Sequence, residues 1–555
     1  MEDDGPAPLF QRVYWMREPH LRKLYGLTVF LMMASATTGY DGMLVNISQH
    51  IRAWNWYFFP EYKENPDLVD PILDSKLAIL VNMFNIGSVI SFFITPFVAD
   101  NYGRKTAILC GCSIMMVGGF LTAFCTGYGS ECSTLSPRVR LLTLVVYMGG
   151  RFMLGFGNSL SQMASPLLLT EICHPQHRGP VTAIYNCLWN AGALLVTCLA
   201  LGCINIKNDY SWRAITFLQV VPSFIQFCGI WFLPESPRFL INKDRHEEAL
   251  RTLAEWHAGG DVNNATVQFE FREIKETIRI QKEIDQGTKF IDFFRTRGNR
   301  WRLAIIMSLG VISQYSGNAI FSNYMNVIYR GAGIKDDQER QKLAMSAGKI
   351  TLDLIVTITA ALNVDRFGRR PLFLVSTCGM VISMACWTVS GAMFENTGET
   401  NMVWGYIQFG FIWLFGIFYD IGFSGLLVAY ALEVLPFHLR AKGMMIMNIT
   451  VQAVLAIGKY VFSSMPSIEL PGTNVTTVKP TSSPGSVFPT TGTLCCSTPS
   501  GTRYNSALFT LSTSRQRDLR SRKSPASLTA RAPSPRLTCA RSKRRFSTTP
   551  STRNT

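Results

Sequence analysis

The stretch Asp100-Asn-Tyr-Gly-Arg-Lys105 recurs later in the chain as Asp365-Arg-Phe-Gly-Arg-Arg370. Each copy follows one long apolar run and immediately precedes another. A repeated Asp-x-x-Gly-Arg-basic string in register with the hydropathy is an internal repeat, and repeats set the architecture before weaker signals are weighed. The glycine allows a tight turn between two helices, and the basic residues stay in water on the cytoplasmic side of a bilayer. The pattern predicts a membrane protein made of two related halves.

The composition agrees with that interpretation. The chain has 555 residues, of which 48% are hydrophobic and 16% are charged, whereas soluble domains carry about 25% charged residues. A net charge of +16 would fit a nucleic-acid partner, but fourteen Lys or Arg lie from Ser467 onward against only Glu469 and Asp518. We therefore expect a lipid bilayer around the chain and no nucleic-acid partner. The fourteen cysteines lack metal-ligand spacing, so neither a metal nor a cofactor is expected, although Cys125 and Cys132 could pair.

Eleven apolar runs are long enough to cross a bilayer, which takes about 20 residues. The first is long enough to remain as a helix rather than be cleaved as a signal peptide. The runs cover residues 24–43, 77–98, 107–126, 141–163, 181–203, 213–233, 303–328, 345–363, 372–393, 403–430 and 444–463.

A polar stretch, Glu235 to Arg302, separates the first six runs from the last five and contains thirteen Lys or Arg. Its segments 245–253 and 269–284 have the pattern of amphipathic helices. Positive loops lie in the cytoplasm, so this stretch, the N-terminus and both repeat strings are predicted there. The predicted domains are 1–234, an N-terminal transmembrane bundle; 235–302, a cytoplasmic helical loop; 303–465, a C-terminal bundle of five spans; and 466–555, a disordered tail.

Two charges lie within the apolar runs of the first half rather than in the cytoplasmic loops or at the first residue of a run. Asp41 is at the outer end of the first run, and Arg151 is inside the fourth. Charges at membrane depth are costly and usually paired and functional. A carboxylate that takes up a proton and releases its arginine is a physical switch that can bias a conformational equilibrium. The alternative is that Asp41 sits in interfacial water and caps its helix.

The motifs resemble those of the sugar porter family of the major facilitator superfamily, and most closely its fungal hexose and lactose-permease-like members. The resemblance runs from about Arg22 to about Met465. It rests on the order of its motifs rather than on any one of them. They are Gly39-Tyr-Asp-Gly42, Asp100-to-Lys105, Gly150-Arg-Phe-Met-Leu-Gly155, Pro166-Leu-Leu-Leu-Thr-Glu171 with Arg178-Gly179, Trp212-Arg213, Pro234-Glu-Ser-Pro-Arg-Phe-Leu240, Gln314-Tyr-Ser-Gly-Asn318, Asp365-to-Arg370, and Glu433-Val-Leu-Pro436 with Arg440 and Gly443.

The resemblance implies an all-α fold of two six-helix bundles and proton-coupled symport of a hexose or a lactose-like disaccharide by alternating access, with no enzymatic activity. It implies a monomer in the plasma membrane, with a sugar and a proton as partners, and Asp41 and Arg151 as the proton-coupling pair. Cytoplasmic salt bridges are expected to hold an outward-open state; the alternative is that these charges only set topology. The residues are Arg104, Glu171, Arg178, Glu235, Arg238, Asp365, Arg369, Glu433 and Arg440.

Sugar recognition needs neutral donors and acceptors together with an aromatic face. The seventh run supplies both in Gln314, Asn318, Tyr315 and Tyr324. The resemblance adds Asn186 and Asn448 at positions that bind sugar in relatives. The alternative for each residue is an interhelical hydrogen bond.

The chain departs from the family pattern at several of these places. Ser313 precedes Gln314 where many relatives have a second glutamine, and Ala319 takes the place of an asparagine. Val428 corresponds to a tryptophan that stacks on the sugar in many relatives, and Asn323 replaces a usual tyrosine. The identity of the sugar is therefore open.

After about Pro466 the resemblance stops, and Ser, Thr, Pro and Arg follow without a periodic apolar run. Such a composition cannot bury enough apolar surface to fold. We expect a second bundle that lacks its twelfth helix, a gene-model artefact as the leading explanation, and poor transport by the chain as written. The alternatives are a sugar sensor that does not transport and an inactive truncated paralogue.

Overall fold

The computed structural model describes most of the chain up to Ser463. The residues described are 13–59, 71–125, 137–206, 209–285, 290–323, 325, 328–329, 332, 334, 338–397, 402–436 and 439–463. The expected tail 466–555, Tyr324 and Cys132 lie outside them.

The described residues form helices and contain no β-strand. Among the described residues, eight α-helices build the first half, and they are α1 Pro19–Ser48, α2 Arg52–Phe58, α3 Pro71–Tyr102, α4 Arg104–Ala123, α5 Pro137–Ile172, α6 Arg178–Cys203, α7 Tyr210–Leu218 and α8 Val220–Gly229. Four lie in the polar loop, and they are α9 Pro237–Asn242, α10 His246–His257, α11 Ala265–Asp285 and α12 Asp292–Arg295. Seven build the second half, and they are α13 Arg297–Tyr315, α14 Asn318–Asn323, α15 Glu339–Phe367, α16 Arg369–Asn396, α17 Met402–Tyr419, α18 Gly425–Val434 and α19 Arg440–Ser463.

Where the structure describes them, the eleven apolar runs predicted from the sequence lie on helices or on consecutive helices. By length and composition alone, seven helical segments within the described ranges are apolar enough to cross a membrane. They are Ile79–Tyr102, Arg104–Ala123, Pro175–Cys203, Tyr210–Phe232, Glu339–Ala360, Arg369–Phe394 and Met402–Ser424. The chain is an all-α multi-pass membrane protein.

Both repeat strings turn at their glycine. Gly103 has φ 105° and Gly368 has φ 78°, a backbone region that L-residues with a Cβ rarely enter. Each turn reverses the chain within one residue between two long helices, α3 and α4 in the first half and α15 and α16 in the second. An even number of membrane crossings separates the two turns, so they lie at the same end of the bundle, which we name the repeat end.

Helices of the first half approach one another closely because glycines line their crossings. A Cβ on Gly39 of α1 would lie 1.9 Å from the Trp189 carbonyl oxygen of α6. A Cβ on Gly155 of α5 would lie 1.9 Å from the Phe84 carbonyl oxygen of α3. Small residues at such crossings let backbones pack directly, which drives helix association in a bilayer. The first half is therefore a tightly packed bundle.

Two spans of the second half are discontinuous. Helix α13 ends at Tyr315, Gly317 takes φ 115°, and α14 begins at Asn318. A π-helical turn, Asp420–Ser424, separates α17 from α18. Such interruptions within a helix frequently mark functional sites. Neither was expected from the sequence, which predicted uninterrupted runs 303–328 and 403–430.

The amphipathic helices predicted in the polar loop are present as α10 and α11. Their apolar faces pack together around Leu253, Ala254 and Val267. The loop is tied to the first half by His257, whose Nε2 lies 3.1 Å from the Ile172 carbonyl oxygen. The loop helices thus dock at the repeat end rather than stand apart from the bundle.

Candidate functional site

Asp41 and Arg151 meet inside the first half. Helix α1 carries Asp41, α5 carries Arg151, and both side chains are almost fully buried. The Arg151 guanidinium donates to the backbone carbonyl of Asp41 over 3.3 Å and lies 5.1 Å from the centre of the Phe84 ring. Neither carboxylate oxygen of Asp41 has a hydrogen-bond partner among the described residues. The Asp41 carboxylate is thus close to Arg151 but forms no hydrogen bond with it.

This arrangement can exchange a proton. An ionised carboxylate with no hydrogen bond is costly in a dry interior, so it is stabilised either by a proton or by movement of the arginine toward it. A hydrogen bond from Arg151 to the backbone holds the guanidinium within reach without neutralising the carboxylate. Tyr147, one turn before Arg151 on α5, adds a buried hydroxyl beside the Arg151 guanidinium. The site has the parts of a protonation switch.

The break between α13 and α14 lies at the predicted sugar motif. Gln314 is buried, and its Nε2 lies 3.3 Å from Ser313 Oγ. Asn318 accepts a hydrogen bond from Ser322 Oγ over 3.1 Å. Tyr315 is 51% exposed, so its ring is available to a ligand or to lipid. Because the interruption falls between Gln314 and Asn318, polar groups and an open backbone come together at one point of the span.

The two asparagines taken from the family resemblance flank this region on other helices. Asn448 lies on α19, which packs against α13. Asn186 is exposed on α6, one turn before Asn190, whose Nδ2 lies 3.1 Å from Thr357 Oγ1 of the second half. Residues four apart share a helix face, so Asn186 is on the side of α6 that is turned toward the second half.

The first half carries an ion-pair network at the repeat end. Arg104 Nε lies 3.2 Å from Glu171 Oε2, and Arg104 Nη1 lies 3.4 Å from Asp100 Oδ1. Glu171 also accepts a hydrogen bond from Ser236 Oγ over 2.5 Å. Glu235 accepts instead from the backbone N–H groups of Ser236 and of Lys105. Burial raises the pKa of the Glu235 carboxyl, although those two hydrogen bonds act in the opposite direction.

The second half carries a matching pair. Arg369 Nε lies 3.0 Å from Glu433 Oε1, and these residues occupy in the second repeat the places of Arg104 and Glu171 in the first. Both pairs join elements of the same half. Arg178 donates to the Cys173 carbonyl over 3.2 Å, and Arg238 makes no ion pair with a described residue. The side chains of Asp365 and Arg440 lie outside the described ones.

The two halves meet by hydrogen bonds toward the end opposite the repeat end. Asn46 of α1 donates to the Ser322 carbonyl, and Asn82 of α3 donates to the Ala456 carbonyl over 3.3 Å. Arg52 of α2 donates to Glu339 Oε1 over 2.7 Å from both its backbone N–H and its Nε. The halves are therefore closed against each other at that end.

Sequence reasoning missed one charged cluster. Lys349 and Asp353 lie one turn apart on α15, with Nζ 2.6 Å from Oδ2, and Asp420 begins the π-helical turn next to them. The available signal was the presence of charges inside the apolar runs 345–363 and 403–430, which marks a functional candidate in a membrane protein.

The chain matches a known family of membrane proteins. A sequence model described as "Sugar (and other) transporter" matches residues 27–467. The chain is similar to the high-affinity glucose transporter of Kluyveromyces lactis, with 26% identity over 69% of this chain and 63% of that protein. It is also similar to the high glucose sensor RGT2 of Saccharomyces cerevisiae, with 25% identity over 75% of this chain and 50% of that protein. Each match spans less than two thirds of the relative's length.

Among solved structures, the chain is similar to the inward-open conformation of the xylose transporter XylE from E. coli. The TM-score is 0.66 at 17% identity, with 87% of this chain and 95% of that one covered. At that identity the similarity establishes the fold. It confirms the two-bundle architecture predicted from the repeated string.

Proposed function

Since this chain belongs to the sugar (and other) transporter family, we propose that it carries a hexose or a lactose-like disaccharide across the plasma membrane together with a proton. The observation that carries the proposal is the buried Asp41 carboxylate, held without a described hydrogen-bond partner beside Arg151. A facilitator that only lets sugar equilibrate has no need of a buried carboxylate that can gain and lose a proton.

Alternating access follows from the same arrangement. With the repeat end in the cytoplasm, the contacts of Asn46, Asn82 and Arg52 close the extracellular side. Protonation of Asp41 changes the charge balance next to Arg151, and a sugar bound near Gln314 and Asn318 contacts the broken span of the second half. A proton on one half and a sugar on the other can then bias the same opening and closing of the interface.

The ion pairs at the repeat end have a proposed role in that cycle. Arg104 with Glu171, and Arg369 with Glu433, stiffen the ends of their own halves. We propose that each half consequently rocks as one body, with the sugar site between the halves and the chain acting as a monomer.

A sugar sensor is the second candidate, and the similarity to RGT2 supports it. Such a protein binds sugar and signals without net flux. The alternative of an inactive truncated paralogue depends on the tail beyond Met465, which lies outside the described residues.

One experiment separates these functions. The full chain is expressed in a yeast strain without hexose transporters, and uptake of labelled glucose and of labelled lactose is followed with and without a protonophore. A symporter accumulates the sugar, and the protonophore abolishes accumulation. Binding without uptake identifies a sensor, whereas equilibration that is insensitive to the protonophore contradicts proton coupling. Absence of both binding and uptake, with the protein present at the cell surface, supports the inactive chain.

A further inference from the structure

Three charged side chains among the described residues of the second half lie together and have no part in the proposed mechanism. Lys349 and Asp353 form an ion pair on α15, with side chains only 19% and 13% exposed. Asp420 is 8% exposed, and its carboxylate faces that of Asp353 and the Lys349 ammonium. We name these three residues the α15–π cluster.

The cluster lies next to the interface between the halves. Asp353 and Thr357 are four residues apart and therefore share a face of α15. Thr357 accepts the hydrogen bond from Asn190 of the first half, so this face is turned toward that half. Lys349 continues the same row one turn further toward the start of α15. The cluster is thus beside the path that a substrate takes between two rocking halves.

The backbone is shaped to hold the cluster. A Cβ on Gly416 of α17 would lie 2.9 Å from Asp353 Oδ1 and 3.2 Å from Lys349 Nζ, so any larger residue there would push the charged ends of the ion pair aside. Four residues later, the π-helical turn begins at Asp420 and packs against α15 and α16. A π-helical turn changes the direction of its side chains relative to a regular helix, and here it brings Asp420 to the pair.

The charges of the cluster do not balance. One ammonium faces two carboxylates, and Asp353 Oδ1 and Asp420 Oδ2 are buried without a hydrogen-bond partner among the described residues. Tyr419 is the neighbouring titratable group on α17, and α16 contributes the neutral Ser376 against Gly422 of the turn. None of these supplies a second positive charge. An uncompensated carboxylate at membrane depth is strongly unfavourable.

We propose that Asp353 and Asp420 share one proton beside Lys349, which makes the α15–π cluster a second proton-binding site in the half opposite Asp41. Water in the path between the halves supplies the proton to one carboxylate oxygen, and the resulting O–H donates to the other carboxylate. Release returns the proton to water. The presence of this proton does not depend on the proposed function, whereas its use in sugar transport does.

Infrared difference spectroscopy of the full-length protein in lipid vesicles tests the proposal, because a protonated carboxyl group has a carbonyl-stretch band that a carboxylate lacks. We expect that band at neutral pH in the unaltered protein. Asp420→Asn and Asp353→Asn should each remove its contribution, since the remaining carboxylate then balances Lys349. Lys349→Met should instead increase the band, since two carboxylates then lack a cation.

A variant outside the α15–π cluster and a folding check serve as controls. Asp100→Asn, at a side chain that is 66% exposed, should leave the band unchanged, and size-exclusion profiles identify any variant that misfolds. Identical spectra for the unaltered protein and for whichever cluster variants fold would overturn the proposal. If the band behaves as expected but the protein does not accumulate sugar, then only the proposed function is wrong. If sugar accumulates but Asp353→Asn and Asp420→Asn leave the band unchanged, then only the second proton site is wrong.

Discussion

Arg52 binds Glu339 through two donors, its backbone N–H and its Nε, which both lie 2.7 Å from the same carboxylate oxygen. The two residues belong to opposite halves of the molecule, and Glu339 is the first residue of α15. The backbone N–H holds the Glu339 carboxylate in place, so the Arg52 side chain loses less conformational entropy when it forms the second hydrogen bond. We call this pair, Arg52 and Glu339, the latch. It joins the two halves at the end opposite the repeat turns.

Reversing one charge of this latch should open that end. Arg52→Glu places two carboxylates against each other, and an exposed pair of this kind contributes about 1 kcal/mol, roughly a fivefold change in a two-state population. Spin labels attached at Trp56→Cys and Arg340→Cys, in a background without reactive native cysteines, report the opening as a longer-distance population. The double exchange Arg52→Glu with Glu339→Arg restores the ion pair but not the hydrogen bond from the backbone N–H, so the short-distance population should return in part. No change in either variant would mean that the latch does not hold the halves.

Asp41→Asn should uncouple sugar movement from the proton gradient. Asparagine is permanently neutral, like the protonated carboxyl group, so exchange of labelled for unlabelled sugar should continue while accumulation is lost. The measurement compares net uptake with exchange in the same vesicles, and Asp261→Asn, at an exposed position of the polar loop, serves as the control. A variant that still concentrates sugar and still takes up protons with it would show that Asp41 is not the coupling site.

Gln314→Ala should weaken sugar binding without loss of protein at the membrane. Removing one hydrogen-bonding amide costs about 1–3 kcal/mol, which corresponds to a roughly 5- to 150-fold rise in the half-saturation concentration. Gln268→Ala, on the exposed face of α11, provides the matched control. Equal half-saturation concentrations in both variants, for every sugar transported, would remove Gln314 from the site.

Acid should loosen the junction between the loop helices and the first half through His174. Burial, and next the neighbouring His257, lower the pKa of His174 to about 4 from its ordinary 6.5. Its Nδ1 accepts the Gln176 N–H, and its ring lies 5.5 Å from that of His257. A lowered histidine pKa means that the unfolded state binds the proton more readily, so stability is fully present above pH 6.5 and is lost as the pH falls toward about 4.

The measurement is the thermal unfolding midpoint of the purified protein as a function of pH. We expect a fall in the midpoint between pH 6.5 and pH 5 that is smaller in His174→Asn, because asparagine keeps an acceptor for Gln176 and does not titrate. His246→Asn, at a half-buried position of α10, should follow the unaltered protein. If His174→Asn keeps the full acid dependence, other groups cause it.

The fold could be predicted from the sequence because its main signals are local and repeated. Apolar length places the helices, and Gly103 and Gly368 mark the two turns through a backbone conformation that needs glycine. The loop helices α10 and α11 also follow directly from their amphipathic pattern. Each of these inferences needs only the residues within one or two helical turns.

The details of the site could be predicted less well because they depend on contacts between distant parts of the chain. Asp41 and Arg151 could be identified as buried charges, but the sequence does not determine whether Arg151 bonds the carboxylate or the backbone. The π-helical turn at Asp420 adds one residue to a turn of the helix and so redirects the side chains there. The average hydropathy of an apolar run does not reveal such a local change. Without that turn, nothing in the sequence links Asp420 to Asp353.

The direct backbone contacts of Gly39 and Gly155 have a consequence for how this protein can vary. A methyl group added at either glycine would force two helices apart. The first half therefore tolerates few substitutions at its helix crossings. At Gly416 and Gly422 of the second half, a Cβ would instead meet side chains, those of Asp353 and Ser376, which a second substitution can change, whereas a backbone carbonyl cannot be removed. Laboratory evolution toward a new sugar should therefore accumulate its productive changes in the second half. The glycines at the helix crossings of the first half should stay unchanged.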